Sequence, residues 1–271
     1  MTTSVTVTTS VTGRRPGAVE TPSAGLDHTG SRTTRLLGAV LLGGLALWAW
    51  LALVATPAEQ NMGDVVRIMY LHVPAAMVAY VAFGVTALGS AMVMWRGSSF
   101  WDFAAAASAE IGVLFTALTL FTGSLWGRPT WGVYWVWDAR LTSTALLLLL
   151  FLGYLAVRRL DAEPAVRARR SAIVGLVASV DLPLVHYSVD WWRSLHQTAS
   201  LTKLDPDLDG LMLFTLVFGI VVFLTLYVWL LIHRFRLEYL REQVADAGLA
   251  QALVDRRAEA IGTATATGHL A

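Results

Sequence analysis

Leu141-Thr142-Ser143-Thr144-Ala145-Leu146-Leu147-Leu148-Leu149-Leu150-Phe151-Leu152-Gly153-Tyr154-Leu155-Ala156-Val157 is a run of 17 residues without a charge. A helix needs roughly 17–25 predominantly apolar residues to cross a bilayer, so this run is long enough to span one. Five more runs have the same character, near Leu36–Ala55, Val73–Trp95, Phe103–Gly123, Ser171–Val185 and Leu211–Ile232. The fifth in chain order, Ser171–Val185, is the weakest, because Asp181 and Pro183 interrupt it. Together they predict an all-α fold: a polytopic membrane bundle of six transmembrane helices.

Composition agrees. The chain has 271 residues, 56% of them hydrophobic and only 14% charged, with a mean hydropathy of +0.59. A soluble domain carries about 25% charged residues. With no cysteine present, disulfides, thiolate metal sites and cysteine nucleophiles are excluded. A metal here must be held by His, Met or oxygen.

The arginines set the orientation. With a cytoplasmic N-terminus, 15 of the 20 basic residues fall in inner segments and five (Arg67, Arg128, Arg140, Arg193 and Lys203) in outer ones. This follows the positive-inside rule and puts both termini in the cytoplasm. Three regions are expected: a tail over 1–34, disordered by its Thr, Ser and Gly content; a membrane domain over 35–233; and a cytoplasmic tail over 234–271. The last tail starts as an amphipathic helix and frays near Gly262. The first apolar run exceeds the 7–15 residues typical of a signal-peptide core, so it reads as an uncleaved helix.

Directly before Leu141–Val157 lies Trp126-Gly127-Arg128-Pro129-Thr130-Trp131-Gly132-Val133-Tyr134-Trp135-Val136-Trp137-Asp138, with four Trp and one Tyr in 13 residues. Interfacial belts place aromatic rings at headgroup level, but a belt alone does not account for this density. In the expected topology the stretch is the second outer loop. His72 lies where the first outer loop meets the second helix, His196 lies in the third outer loop, and His186 ends the fifth helix. A tryptophan platform flanked by histidines from two loops suits a large flat apolar ligand, and haem fits. Neutral imidazole ligates haem iron, and indole faces bury porphyrin area. Arg128, Arg140 and Arg193 suit the two propionates, because guanidinium matches carboxylate geometry. Asp138 is placed to orient Arg140 or an indole, or to sit near the propionates.

Each feature taken singly has a plainer reading. A lone interfacial histidine is usually solvated or satisfied, Trp191 and Trp192 suit membrane anchors, and the arginines suit headgroups. Pro74 and Pro183 suit a helix start and a kink. Convergence on one face favours the joint reading.

The Trp126–Asp138 stretch resembles the tryptophan-rich WWD signature of the haem-handling proteins of cytochrome c biogenesis, and more narrowly the CcmC family of haem exporters. The likeness includes Tyr70-Leu71-His72-Val73-Pro74-Ala75-Ala76, Thr122-Gly123-Ser124-Leu125-Trp126-Gly127 and Trp135-Val136-Trp137-Asp138-Ala139-Arg140-Leu141-Thr142-Ser143. It continues through His186-Tyr187-Ser188-Val189-Asp190-Trp191-Trp192 and Leu195-His196-Gln197, covering about Val65 to Ile232. The resemblance implies that His72 and His196 are axial ligands to the iron of haem b. It implies that Trp126, Gly127, Trp131, Trp135, Trp137 and Asp138 form the haem-binding loop. It further implies delivery to a haem chaperone of the CcmE type, an ATP-binding cassette transporter pair of the CcmA and CcmB type, and a small membrane protein of the CcmD type. The expected site is on the outer side of the bacterial inner membrane. Both tails depart from the compact family pattern.

The expected mechanism is presentation of haem, with no catalytic residue and no conventional turnover, since attachment to a chaperone needs proximity and orientation. Two rivals are a b-type cytochrome subunit and a small-molecule transporter. The first would place histidine pairs at mid-membrane depth, where the first four helices have none. The second would show related halves with broken helices, and no internal repeat is found.

Overall fold

The computed structural model describes residues 30–192, 194–196 and 210–268, so Arg193, one of the expected propionate partners, lies outside the described residues. Among the described residues, seven α-helices make six spans. Helix α1 runs Arg32–Trp50 and continues through a π-helical turn, Leu51–Ala55. A 3-10 turn, Asp64–Ile68, leads into α2, Met69–Arg96. Then follow α3 (Ser99–Trp131), α4 (Ala139–Arg158), α5 (Pro164–Ser179), α6 (Asp181–Trp191) and α7 (Gly210–Gly268). Helices α5 and α6 are two halves of one span, broken at Val180. All six spans are long and apolar enough to cross a membrane. Six crossings put the first and last helix ends at the same end of the bundle. Among the described residues the β contribution is one isolated bridge, Glu59 with Gly63.

Lipid offers no hydrophobic drive for helices to associate, so close packing depends on small residues and buried polar contacts. The stretch Ala104–Ala107 with Ala109 is buried on α3 and brings α2 and α3 together. Gly112 has no side chain because Phe83 occupies the space: a Cβ there would meet Phe83 Cε1 at 2.5 Å. Phe83 in turn stacks on Phe151 of α4 with ring centroids 3.8 Å apart. Buried clusters follow from this: one joins α1, α2, α3 and α7 around Val78, Phe115 and Phe223, and another joins α2 to α6 around Phe83 and Phe151.

The basic end of the bundle is tied by ion pairs. Arg158 grips Asp102 bidentately at 2.6 and 2.7 Å, both nearly buried. Arg167 pairs with Glu242 at 2.6 Å, and Arg234 pairs with Glu110. These join α3, α4, α5 and α7.

Two features differ from the sequence expectation. The tryptophan-rich stretch is not wholly a loop: α3 continues through Gly127 and Pro129 to Trp131, and only Gly132–Asp138 are non-helical. The stop is Gly132, whose φ of 81° lets its N–H cap the helix on the Arg128 carbonyl at 3.0 Å. Pro129 costs one intrahelical bond but does not end the helix. In addition, α7 stays helical past Gly262 to Gly268, where the sequence suggested fraying.

Candidate functional site

At the end of the bundle away from the ion pairs, four helix ends meet. The start of α2 supplies His72, the end of α3 supplies Trp126 and Trp131, and the start of α4 supplies Asp138 and Arg140. The segment after α6 supplies Ser194 and His196. Each histidine has one tryptophan edge-on. Trp126 lies 5.8 Å from His72 and Trp131 lies 4.7 Å from His196, between ring centroids. The last turns of α3 therefore reach both imidazoles.

His72 is held by α3. Its Nδ1 lies 3.0 Å from Thr122 Oγ1, and that hydroxyl's own proton is directed to the Leu118 carbonyl at 2.8 Å. A Thr122 hydroxyl whose proton goes to Leu118 is an acceptor for His72 Nδ1–H, and in that tautomer Nε2 carries no proton. The Cε1 edge of the ring lies against Gly123, where a Cβ would come within 2.9 Å of it.

His196 is held by Asp138, whose Oδ2 accepts from Nδ1–H at 2.8 Å. The same oxygen accepts from Ser194 Oγ at 2.5 Å, while Oδ1 accepts the Leu141 N–H at 2.8 Å and so N-caps α4. Ser194 Oγ also accepts the His196 backbone N–H at 3.1 Å. One carboxylate thus ties three pieces together. Burial pushes the Asp138 carboxyl up, but hydrogen bonds from Ser194, the Leu141 N–H and His196 outweigh it and hold the group below its ordinary value. Burial drives the His196 imidazole below its usual value, against the opposing pull of Asp138. Both shifts favour a neutral imidazole on an ionised carboxylate.

The end of α3, the start of α4 and the segment between them carry donors without acceptors. Trp126 Nε1, Trp135 Nε1 and Arg140 Nε are buried and have no hydrogen-bond partner among the described residues. A buried N–H without a partner is costly, on the order of 1–3 kcal/mol. Arg140 also reaches the His186 carbonyl at 3.3 Å. Gly127 lets the chain fold back over α3: a Cβ there would lie 3.1 Å from the Val133 carbonyl oxygen and 3.2 Å from Trp131. Ser124 Oγ fastens that return by donating to the Tyr134 carbonyl at 2.8 Å.

Two expected residues turn elsewhere. Arg128 is exposed, donates to the Gly132 carbonyl and lies over the Tyr134 ring at 5.6 Å, so it is used in ending α3. Trp137 is 81% exposed, with its ring 5.4 Å from that of Trp135. Asp138 orients neither Arg140 nor an indole: its carboxylate is taken by His196, Ser194 and the α4 cap.

The family model described as CcmC, Heme exporter protein C, matches residues 21–249. The chain belongs to the haem exporter protein C family. Its similarity to curated Heme exporter protein C relatives is broad. That of Haemophilus influenzae is 41% identical over 204 residues, covering 75% of this chain and 82% of the relative. That of Bradyrhizobium diazoefficiens is 42% identical over 198 residues, covering 72% and 75%. That of Escherichia coli K12 is 38% identical over 189 residues, covering 70% and 76%. As a member of this family the chain is a multi-pass membrane protein of cytochrome c biogenesis and haem transport.

Two residues of this candidate site were not singled out in the sequence: Thr122 and Ser194. Thr122 belonged to a motif quoted for the family resemblance, and its position 50 residues from His72 concealed the pairing. Ser194 sits two residues before His196, a spacing at which a hydroxyl bonds the local backbone.

Proposed function

We propose that this family member holds haem b between His72 and His196 at the outer face of the bacterial inner membrane and presents it to a haem chaperone of the CcmE type. The observation that carries the reading is the pair of imidazoles. They come from different elements, both place Nδ1 within hydrogen-bond distance of an oxygen, and they share one tryptophan-bearing helix end. A metal-ligating histidine characteristically gives its other nitrogen to such a partner. The unpartnered donors on Trp126, Trp135 and Arg140 fit the acidic edge of haem, whose propionates supply acceptors. Trp131 packs beside the His196 position, and Gly127 makes room for the returning chain.

The reading needs no acid or base from this chain. His72 and His196 hold iron, the tryptophans bury porphyrin, and the exposed Trp137 and Tyr134 leave a surface for a partner on the aqueous side. The concentration of arginine at the opposite end supports cytoplasmic termini and an outer site. ATP-binding cassette subunits of the CcmA and CcmB type and a small membrane protein of the CcmD type complete the assembly proposed here.

The test is the haem content and absorbance of detergent-purified wild type beside His72→Ala and His196→Ala. A low-spin bis-histidine spectrum in the wild type, altered or lost in each variant, with a b-type pyridine haemochrome, is the expected result. An unchanged spectrum in both variants overturns the ligand assignment.

A further inference from the structure

We propose that Thr122 and Asp138 are positioning residues that hold both imidazoles with Nδ1 protonated and Nε2 free, and that they do so unequally. A hydroxyl stands behind His72 and a carboxylate behind His196. The inference rests on the haem reading above and goes beyond it, because it assigns the two ligands different strengths.

The tautomers follow from donor counting. Thr122 has one hydroxyl proton, and its near acceptors besides the imidazole are the Leu118 carbonyl at 2.8 Å and the Thr119 carbonyl at 3.2 Å. With the proton spent inside α3, Oγ1 faces His72 Nδ1 at 3.0 Å as an acceptor. Asp138 is ionised and accepts only, so His196 Nδ1 must donate to it. Ser194 sits 3.3 Å from that nitrogen but donates to Asp138 at 2.5 Å, which removes it as a competing donor.

The inequality follows from charge. A carboxylate behind an imidazole raises its basicity and strengthens its bond to an oxidised metal; a neutral hydroxyl orients the ring with little electronic effect. The supports differ mechanically as well. His72 is built into α2 and pressed on Gly123, whereas Asp138 and Ser194 are the polar side chains that hold the His196 ring in a non-helical segment.

Asp138→Asn replaces three accepting contacts with one carbonyl oxygen. Retaining the α4 cap turns the amide NH2 toward His196, forces Nδ1 to accept and moves the proton to Nε2. Haem retention is expected to fall about 10–100-fold, the usual effect of losing such a partner, and the midpoint potential of the remaining haem to rise. Thr122→Val lowers retention without that rise, and Thr122→Ser restores it. Retention and potential unchanged in both Asp138→Asn and Thr122→Val overturn the inference. If the same variants keep wild-type properties while His72→Ala and His196→Ala lose ligation, positioning alone fails. If the histidine variants keep the spectrum, the haem reading itself fails. Nitrogen NMR of haem-free protein labelled with 15N-histidine needs no substitution at these supports. Protonated Nδ1 with pyridine-type Nε2 at His72 and His196 supports the assignment, and protonated Nε2 at either overturns it for that residue.

Discussion

His72 depends on an atom that is missing. Because Gly123 has no side chain, the imidazole lies where a Cβ would approach Cε1 to 2.9 Å. Gly123→Ala must therefore displace the ring from Thr122, and overpacking of this kind costs about 1–3 kcal/mol. The expected outcome is a folded protein that has lost haem. Haem per polypeptide and thermal unfolding measured together check it; wild-type occupancy in the variant sinks the argument. His196 gives a pH dependence. Its lowered pKa means that the folded site refuses a proton which the freed segment accepts. As pH falls below the ordinary histidine value of about 6.5, the free segment is favoured and its attachment weakens. Asp138 acts in the same sense at lower pH: its contribution is present above the ordinary carboxylate value and lost as pH falls through the depressed one. Haem should stay bound near pH 7.5 and leave progressively below about pH 6.5. Retention that is flat down to pH 5 contradicts this.

Elements carry the energetics and show how far sequence reading extends. The Arg158–Asp102 pair fastens α4 to α3 with side chains 9% and 5% exposed. Removing Asp102 leaves the buried Arg158 charge with only the longer Glu238 contact at 3.9 Å, so Asp102→Ala should cost up to about 3–5 kcal/mol. Replacing both partners with apolar residues of similar volume should cost much less. Melting temperatures of Asp102→Ala and Asp102→Leu/Arg158→Met in one detergent test this, and equal losses would refute it. The pair was illegible in the sequence because 56 positions separate its members. Six spans were legible because hydropathy sums over whole windows. The break at Val180 was legible through Asp181 and Pro183. The helical half of the tryptophan stretch was not, because Gly127 and Pro129 look like breakers while the Gly132 cap decides where α3 ends. His72, His196 and the tryptophans stood out by residue type and shared face. Thr122 and Ser194 did not, since hydroxyls are common and only a distance of about 3 Å gives them meaning.

At the scale of the whole molecule, the site and the ion-paired arginines occupy opposite ends of one bundle, so each fixes the other's side of the membrane. By the positive-inside rule, the sequence split of 15 basic residues in segments read as inner and five in segments read as outer is the basis for the proposed orientation. The chain has no cysteine, so a single introduced thiol reports its own location without background. Tyr134 is 57% exposed in the segment beside Trp135, and Asp161 is exposed between α4 and α5 at the other end. A membrane-impermeant maleimide applied to spheroplasts should label Tyr134→Cys at once and Asp161→Cys only after the membrane is permeabilised. The reverse pattern would put the histidines in the cytoplasm and overturn outer-face presentation. Labelling Tyr134→Cys with added haem chaperone carries the test one step further. If the surface around Trp137 and Tyr134 receives that partner, loaded chaperone should slow the reaction at Tyr134→Cys and leave that at Asp161→Cys in permeabilised membranes unchanged. Equal rates with and without chaperone would move the docking surface away from this end of the loop.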